Sequence, residues 1–343
     1  VLALGAALLF GLSAPGAKLL VGAVDPWLMA GLLYLGSGVG LGLYRLSHGL
    51  LTGGRSEAPL TLRDLPWLAG AIFVGGVMGP VLLMFGLASG TATQSSLLLN
   101  LEGMFTALLA WLVFEEHFPA RIAAGMAAIA AGAMVLSWPQ AERATLDWSA
   151  ALVAGACLAW AVDNNLTRRV SGGDPLQIAA LKGATAGTVN VLLALARGAE
   201  WPPLALTLSA GLVGFLGYGT SLVLFILALR HLGSARTGAY FSTAPFVGAG
   251  AAILALSEPL TPQLLIAGAL MAAGVWLHLT ERHEHEHLHE PLEHEHLHRH
   301  DEHHQHDHAP GTVAREPHSH PHVHAALRHS HAHYPDLHHL HRH

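Results

Sequence analysis

Ten apolar runs of about 20 residues each crowd the first 280 positions of this 343-residue chain, a length that matches a hydrocarbon core roughly 30 Å thick. They fall near 2–20, 27–46, 66–86, 93–114, 119–138, 147–167, 175–196, 204–229, 235–256 and 262–280, each ended by a short polar link. Helix is the spanning form for such runs, because lipid offers no partner to an exposed N–H or C=O. Frequent Gly and Ala suit close helix contacts. A chain that is 52% hydrophobic with a mean hydropathy of +0.43 is not a soluble domain. Its single cysteine, Cys157, excludes an internal disulfide framework and a cysteine-based zinc site. Val1 already begins an apolar run, so a few residues are expected to precede it.

Charge sets the orientation. With the N-terminus in the cytoplasm, the inner links carry Arg45, Arg55, Arg63, Arg121, Arg168, Arg169, Arg230, Arg236 and Arg282. The outer links then carry only Arg143 and Arg197. This positive-inside pattern predicts a multi-pass protein of the cell (inner) membrane with both termini cytoplasmic.

The two halves of the apolar region share landmarks that are not greasy. At an offset of 142, Gly103 pairs with Pro245, Glu116 with Glu258 and Gly132 with Gly274; Asp25-Pro26 matches Asp174-Pro175. Five spans per half is an odd number, so the second copy enters the membrane inverted, the arrangement in which secondary transporters hold solute near the midplane. The stretch from Phe105 to Gly132, with Phe-Thr-Ala-Leu-Leu-Ala, then Glu116 and the Gly125/Gly132 pair, resembles an EamA repeat of the drug/metabolite transporter superfamily. That resemblance implies an all-α integral membrane fold of ten helices in two inverted five-helix repeats, 1–138 and 147–280. It also implies export of small metabolites such as amino acids by alternating access. The first copy departs from the family pattern by having Glu102-Gly103 where the second keeps Pro245. It also has Leu33 where the second has the basic Lys182. The tail, 281–343, resembles that of a histidine-bearing branch of the family.

An ionisable side chain at membrane depth is costly and calls for a reason. Lys18, Glu102, Asp163 and Lys182 are four such residues. Asp163 and Lys182 fall at similar depth near the inner ends of the sixth and seventh spans, where they can pair. Glu102, near the middle of the fourth span, has no partner evident in the sequence and is a candidate proton-coupling carboxylate. Asn100, Asn164, Asn165, Asn190, Tyr218 and Tyr240 complete the candidate solute and proton set, with Asp163-Asn164-Asn165 its densest cluster. Some of these should face a cavity, since sites combine apolar walls with a few convergent polar groups. Gly79-Pro80 and Ala244-Pro245 interrupt the third and ninth spans as hinges or kinks.

Of the 27 histidines, 23 lie after Thr280, interleaved with Glu and Asp, and the net charge of -6 belongs to this tail. His283, His285, His287, His289, His294, His296, His298, His300, His303, His304, His306 and His308 are the candidate metal ligands. Alternate residues of an extended strand share a face, so His-x-His offers two imidazoles to one ion. Neutral imidazole suits Zn, Ni, Co or Cu. Low hydrophobicity predicts a tail that is disordered without metal.

No Walker loop, Gly-x-Ser-x-Gly elbow or helical zinc-protease pair is present, so an enzyme is not expected. A neutral body with an acidic tail does not suit nucleic acid. The expected partners are the lipid bilayer, a small-molecule solute and transition-metal ions, with no required cofactor. Three readings remain: an exporter of a small organic metabolite with a metal-binding regulatory tail, a transporter of a divalent metal or metal–ligand complex, and a non-transporting membrane metal sensor.

Overall fold

The protein is described by a computed structural model covering 1–52, 60–114, 120–138, 148–170 and 174–280, with 284–289, 292–298, 318–324 and 327–332 of the tail. Its helices are α1 (Leu2–Val21), α2 (Pro26–Thr52), α3 (Leu65–Ala71), α4 (Gly79–Ser89), α5 (Ala92–Leu98), α6 (Asn100–Phe114), α7 (Ala120–Ser137), α8 (Trp148–Arg168), α9 (Pro175–Ala196), α10 (Leu204–Gly214), α11 (Ser221–Phe241), α12 (Ala244–Leu256) and α13 (Pro262–Leu279). Two π-helical segments, Ile72–Met78 and Phe215–Thr220, join α3 to α4 and α10 to α11. Among the described residues of 1–280 there is no strand, and six stretches are long and apolar enough to cross a membrane. Those are Leu2–Val21, Pro26–Ser47, Leu65–Ser89, Ala120–Ser137, Leu176–Ala196 and Leu204–Ala228, with shorter apolar helices at Ala244–Leu256 and Pro262–Leu277.

Helix starts follow local chemistry. The Asp25 carboxylate accepts from the backbone N–H groups of Trp27 and Leu28, both at 3.0 Å, and Asp174 does the same for Leu176 and Gln177 at 2.9 and 3.2 Å. In each case Pro follows at the first helical position, where its missing N–H costs nothing.

Two expected boundaries differ from those found. The fourth span is not one helix but α5 and α6, parted at Leu99. There Leu99 N–H bonds to the Ser96 carbonyl and Glu102 N–H to that of Leu99, while the Asn100 amide donates to the Leu97 carbonyl at 2.9 Å. A side chain competing for backbone acceptors tightens the turn and breaks the helix. The link expected between the eighth and ninth spans is instead continuous helix within α11, and the break falls at Ser242-Thr243. The segment from Arg230 to Arg236 contains no Pro, whereas Pro245 lacks the N–H needed inside a helix and opens α12.

Packing pairs helices from the two halves. α2 crosses α9, α7 crosses α13, α8 packs on α4 and α6, and α1 packs on α11 and α12. The α2–α9 crossing is backbone to backbone: a Cβ on Gly183 meets the Gly38 amide nitrogen at 2.7 Å, and one on Gly187 meets the Gly31 carbonyl oxygen at 2.9 Å. Only glycine permits that approach, which substitutes dispersion contact for the hydrophobic force that lipid does not supply.

Side-chain contacts define two ends. At one, Arg45 pairs with Asp174 at 3.0 Å, Arg121 bonds the Leu277 carbonyl at 3.3 Å and Thr280, and Arg169 stacks on Trp67. At the other, the Glu258 carboxylate accepts from the Ala92 and Thr93 N–H groups, each at 2.8 Å, and so caps α5. Ser257, in the left-handed region at φ 53°, ends α12 immediately before it.

Part of the tail carries backbone pairing. Its described residues form β1 (Glu284–His289), β2 (Leu292–His298), β3 (His318–His324) and β4 (Leu327–Ala332), paired antiparallel as β1 with β4 and β2 with β3. Strict alternation of His with other residues is a period-two pattern, which is strand-like even where hydrophobicity is low. His283, His300, His303, His304, His306 and His308 fall outside the described residues, as does Glu116.

Candidate functional site

Glu102 stands at the first turn of α6, just past the break at Leu99. Its carboxylate accepts from the Asn164 amide of α8 at 2.9 Å, and the same amide reaches the Thr106 hydroxyl at 3.3 Å. Asn164 shares a helical face with Cys157 and Trp160, which are buried at 0% and 6% exposure, yet Asn164 itself is exposed. Gly103 is also exposed, and a Cβ built there meets nothing within 4 Å. One carboxylate, one amide and one hydroxyl therefore meet between α6 and α8.

Beside it lies an ion pair. Lys182 of α9 donates to both Asp163 oxygens, at 2.6 and 2.8 Å, and to the Thr167 hydroxyl at 3.2 Å; Thr167 in turn donates to Asp163 at 2.8 Å. The pairing anticipated from depth is present, and every ammonium donor is used. Gly75 of the first π segment presses against this carboxylate, so a Cβ there would overlap Asp163.

The π segment supplies what an α-helix withholds. Its wider turn releases backbone carbonyls from the i−4 ladder. Gly75 O accepts from Trp160 Nε1 at 2.9 Å and from Tyr34 OH at 3.2 Å, while the Asn190 amide donates to Gly76 O and Val77 O, both at 3.3 Å. Trp27 Nε1 completes Asn190 by donating to its oxygen at 3.2 Å. From Tyr34 an aromatic row continues through Tyr218 (centroids 5.6 Å), Phe10 (5.9 Å) and Phe241 (5.4 Å) to Phe225 (4.8 Å).

The ten residues singled out from the sequence thus divide. Glu102 and Asn164 bond each other, Asp163 and Lys182 pair one residue along α8, and Tyr218 sits in the aromatic row. Lys18 instead donates to the carbonyls of Leu87 (2.5 Å) and Gly90 (2.6 Å), satisfying the end of α4. Asn100 and Asn165 bond their own helices, through the Leu97 and Ala161 carbonyls, and Asn190 ties α2 and α9 to the π segment. Tyr240 is 45% exposed, outside the row. Thr106, Thr167, Tyr34, Trp160 and Trp27 escaped notice in the sequence, because uncharged hydroxyls and aromatics are ordinary in apolar spans.

The EamA-like transporter family matches at residues 1–138 and again at 147–280. An uncharacterized transporter of Methanothermobacter thermautotrophicus is 28% identical over 287 residues, 79% of this chain and 83% of that protein. A protein of Streptantibioticus cattleyicolor named as a probable terminal-alkyne amino-acid exporter is 30% identical over 249 residues, covering 69% of this chain and 82% of its own. One solved crystal structure shares the fold at a TM-score of 0.57 and 18% identity, covering 81% of this chain and 95% of that one.

Proposed function

The chain belongs to the EamA-like transporter family, a family of multi-pass membrane proteins, and from that premise we propose that it exports a small amino-acid-like metabolite by alternating access. The observation that carries the reading is the Glu102–Asn164–Thr106 cluster between α6 and α8. An ionised Glu102 binds the ammonium group of an amino acid, and Asn164, a donor and acceptor at once, orients the solute beside it. A proton competes for the same carboxylate, so one group exchanges solute for proton and no nucleotide is needed. The S. cattleyicolor relative, named as a probable terminal-alkyne amino-acid exporter, agrees in substrate class.

Ten membrane helices in two inverted repeats follow from the same reading. Exchanging each span for the one five places on maps α2–α9 and α7–α13 onto themselves, and turns the contacts of α8 with α4 and α6 into those of α1 with α11 and α12. The two π segments begin 143 residues apart, close to the offset of the sequence landmarks. The arginine-rich end is then cytoplasmic. Asn164, one turn from the end of α8 that bears Arg168, faces the side from which an exporter loads. The Glu258 cap and the Lys18 bonds close the far end.

The tail is a cytoplasmic binder of Zn, Ni, Co or Cu that buffers or regulates the body. Cells with and without the protein, loaded with a panel of amino acids and analogues, test the export reading. Lower retention of at least one such compound in wild type, lost in Glu102→Gln, is expected. Unchanged retention of every compound together with altered cell content of Ni, Co, Zn or Cu would instead assign a metal or metal complex as cargo.

A further inference from the structure

Several hydroxyl side chains in these helices bond back to a carbonyl three or four residues earlier: Ser13 to Phe10, Ser89 to Phe85, Ser209 to Ala205 and Thr280 to Trp276. Two on α5 do not. Thr93 and Ser96 are 2% and 1% exposed, and neither hydroxyl has a hydrogen-bond partner. A buried hydroxyl left unbonded is costly, and a membrane interior supplies no water to relieve it. Such a group calls for an explanation in what it meets when the protein changes state.

The two hydroxyls stand three positions apart, on one face of α5. That face meets α1 and α12. A Cβ added to Gly248 of α12 would lie 2.7 Å from both Ser96 Oγ and the Gly11 carbonyl oxygen of α1, and one added to Gly11 would lie 2.5 Å from the Ala244 carbonyl oxygen. Parting this glycine seam breaks no side-chain hydrogen bond of Thr93 or Ser96. Phe10, the residue before Gly11, belongs to the aromatic row. At the other end of the seam, the turn leading into α5 is clasped from two sides. Lys18 donates to the Leu87 and Gly90 carbonyls, and Glu258 accepts from the Ala92 and Thr93 N–H groups. Both clasps are hydrogen bonds to backbone groups, which water can replace once the turn moves. Along the fourth span the order is therefore the Glu258 clasp, the Thr93 and Ser96 hydroxyls, and then Glu102, which is six residues past Ser96, about 9 Å at 1.5 Å per residue.

We propose that Thr93 and Ser96 form a second solute-contact site, on an exit route that opens between α1, α5 and α12. This rests on the export reading and names the path that export takes. A hydroxyl both donates and accepts, so the pair can bond the ammonium or the carboxylate of an amino-acid-like solute as it leaves Glu102. The cost of leaving both hydroxyls unbonded in the closed seam is offset when a polar solute enters. An apolar seam would gain nothing from such a passenger.

The test uses purified full-length protein in proteoliposomes loaded with a panel of labelled amino acids, comparing wild type with Thr93→Val/Ser96→Ala. Removing two hydroxyls that have no partner should leave the melting temperature no lower than that of wild type, while efflux falls about tenfold, the equivalent of one or two lost hydrogen bonds. Thr93→Ser/Ser96→Ala, which keeps one hydroxyl, should fall between the two. In a Cys157→Ser background, Ser96→Cys should react with a membrane-impermeant thiol reagent added outside, and faster during efflux than without solute. Undiminished efflux in the double variant, or a Ser96→Cys thiol that the reagent never reaches while wild type exports, would overturn this site and leave export standing. A lower melting temperature with unchanged efflux per folded protein would make the hydroxyls structural, and would overturn it too. No efflux of any amino acid from wild type would overturn the export reading itself.

Discussion

Removing one partner of the Lys182–Asp163 pair should destabilise the protein far more than removing both charges. The side chains are 17% and 9% exposed, and the ammonium spends its hydrogens on both Asp163 oxygens and on Thr167. Lys182→Met leaves the carboxylate with the Thr167 hydroxyl as its remaining side-chain donor, in a space that Gly75 closes from the other side. Stranding a buried charge in this way costs about 3–5 kcal/mol. Asp163→Asn strands the ammonium instead, at a similar cost. The double variant Asp163→Asn/Lys182→Met strands neither, and should regain most of the loss, because a buried pair replaced by neutral groups is often close to neutral in stability. Thermal unfolding in micelles, followed by tryptophan fluorescence, measures all four proteins. A double variant as unstable as either single one would refute mutual neutralisation as the reason these charges survive at depth. Export by the folded double variant separates the pair's anchoring from any direct part in transport.

Glu258→Ala removes the acceptor for two N–H groups at the start of α5, a loss of about 0.5–2 kcal/mol. It should also quicken labelling of Thr93→Cys by a membrane-impermeant thiol reagent added outside, and unchanged labelling would mean that the cap does not close that end. Gly75→Val should abolish recovery of monodisperse protein because its side chain overlaps Asp163, whereas Gly103→Ala, with open space around it, should be recovered like wild type. Equal recovery of the two would deny the close packing of the π segment. Deleting 283–343 should leave the melting temperature of the body unchanged, and failure of the truncated chain to insert would make the tail structural.

Much of the scaffold was legible because its signals are local. Asp25-Pro26 and Asp174-Pro175 announce helix starts through chemistry within four residues, and Pro245 requires a break nearby. The π segments were not legible. Val74-Gly75-Gly76 reads as ordinary membrane helix, and the wider turn pays off only through Tyr34, Trp160 and Asn190, which are distant in sequence. Glu102 looked partnerless for the same reason, since Asn164 is 62 residues away. Lys18 drew attention as a charge at depth, but sequence carries no sign of which carbonyls a lysine will find. In the tail, the alternation of histidines is a period-two pattern visible in the sequence. The register that opposes one histidine segment to another depends on pairing across the intervening chain, which alternation alone does not specify.

Transport itself is tested most directly in proteoliposomes of purified protein, with a panel of labelled amino acids inside, an imposed proton gradient, and a pH-sensitive dye reporting proton movement. Efflux of at least one amino acid coupled to opposite proton flux in wild type, with both lost in Glu102→Gln while the variant remains folded, is the predicted result. Coupled efflux that persists undiminished in Glu102→Gln would contradict the assignment of Glu102 as the shared site for solute and proton.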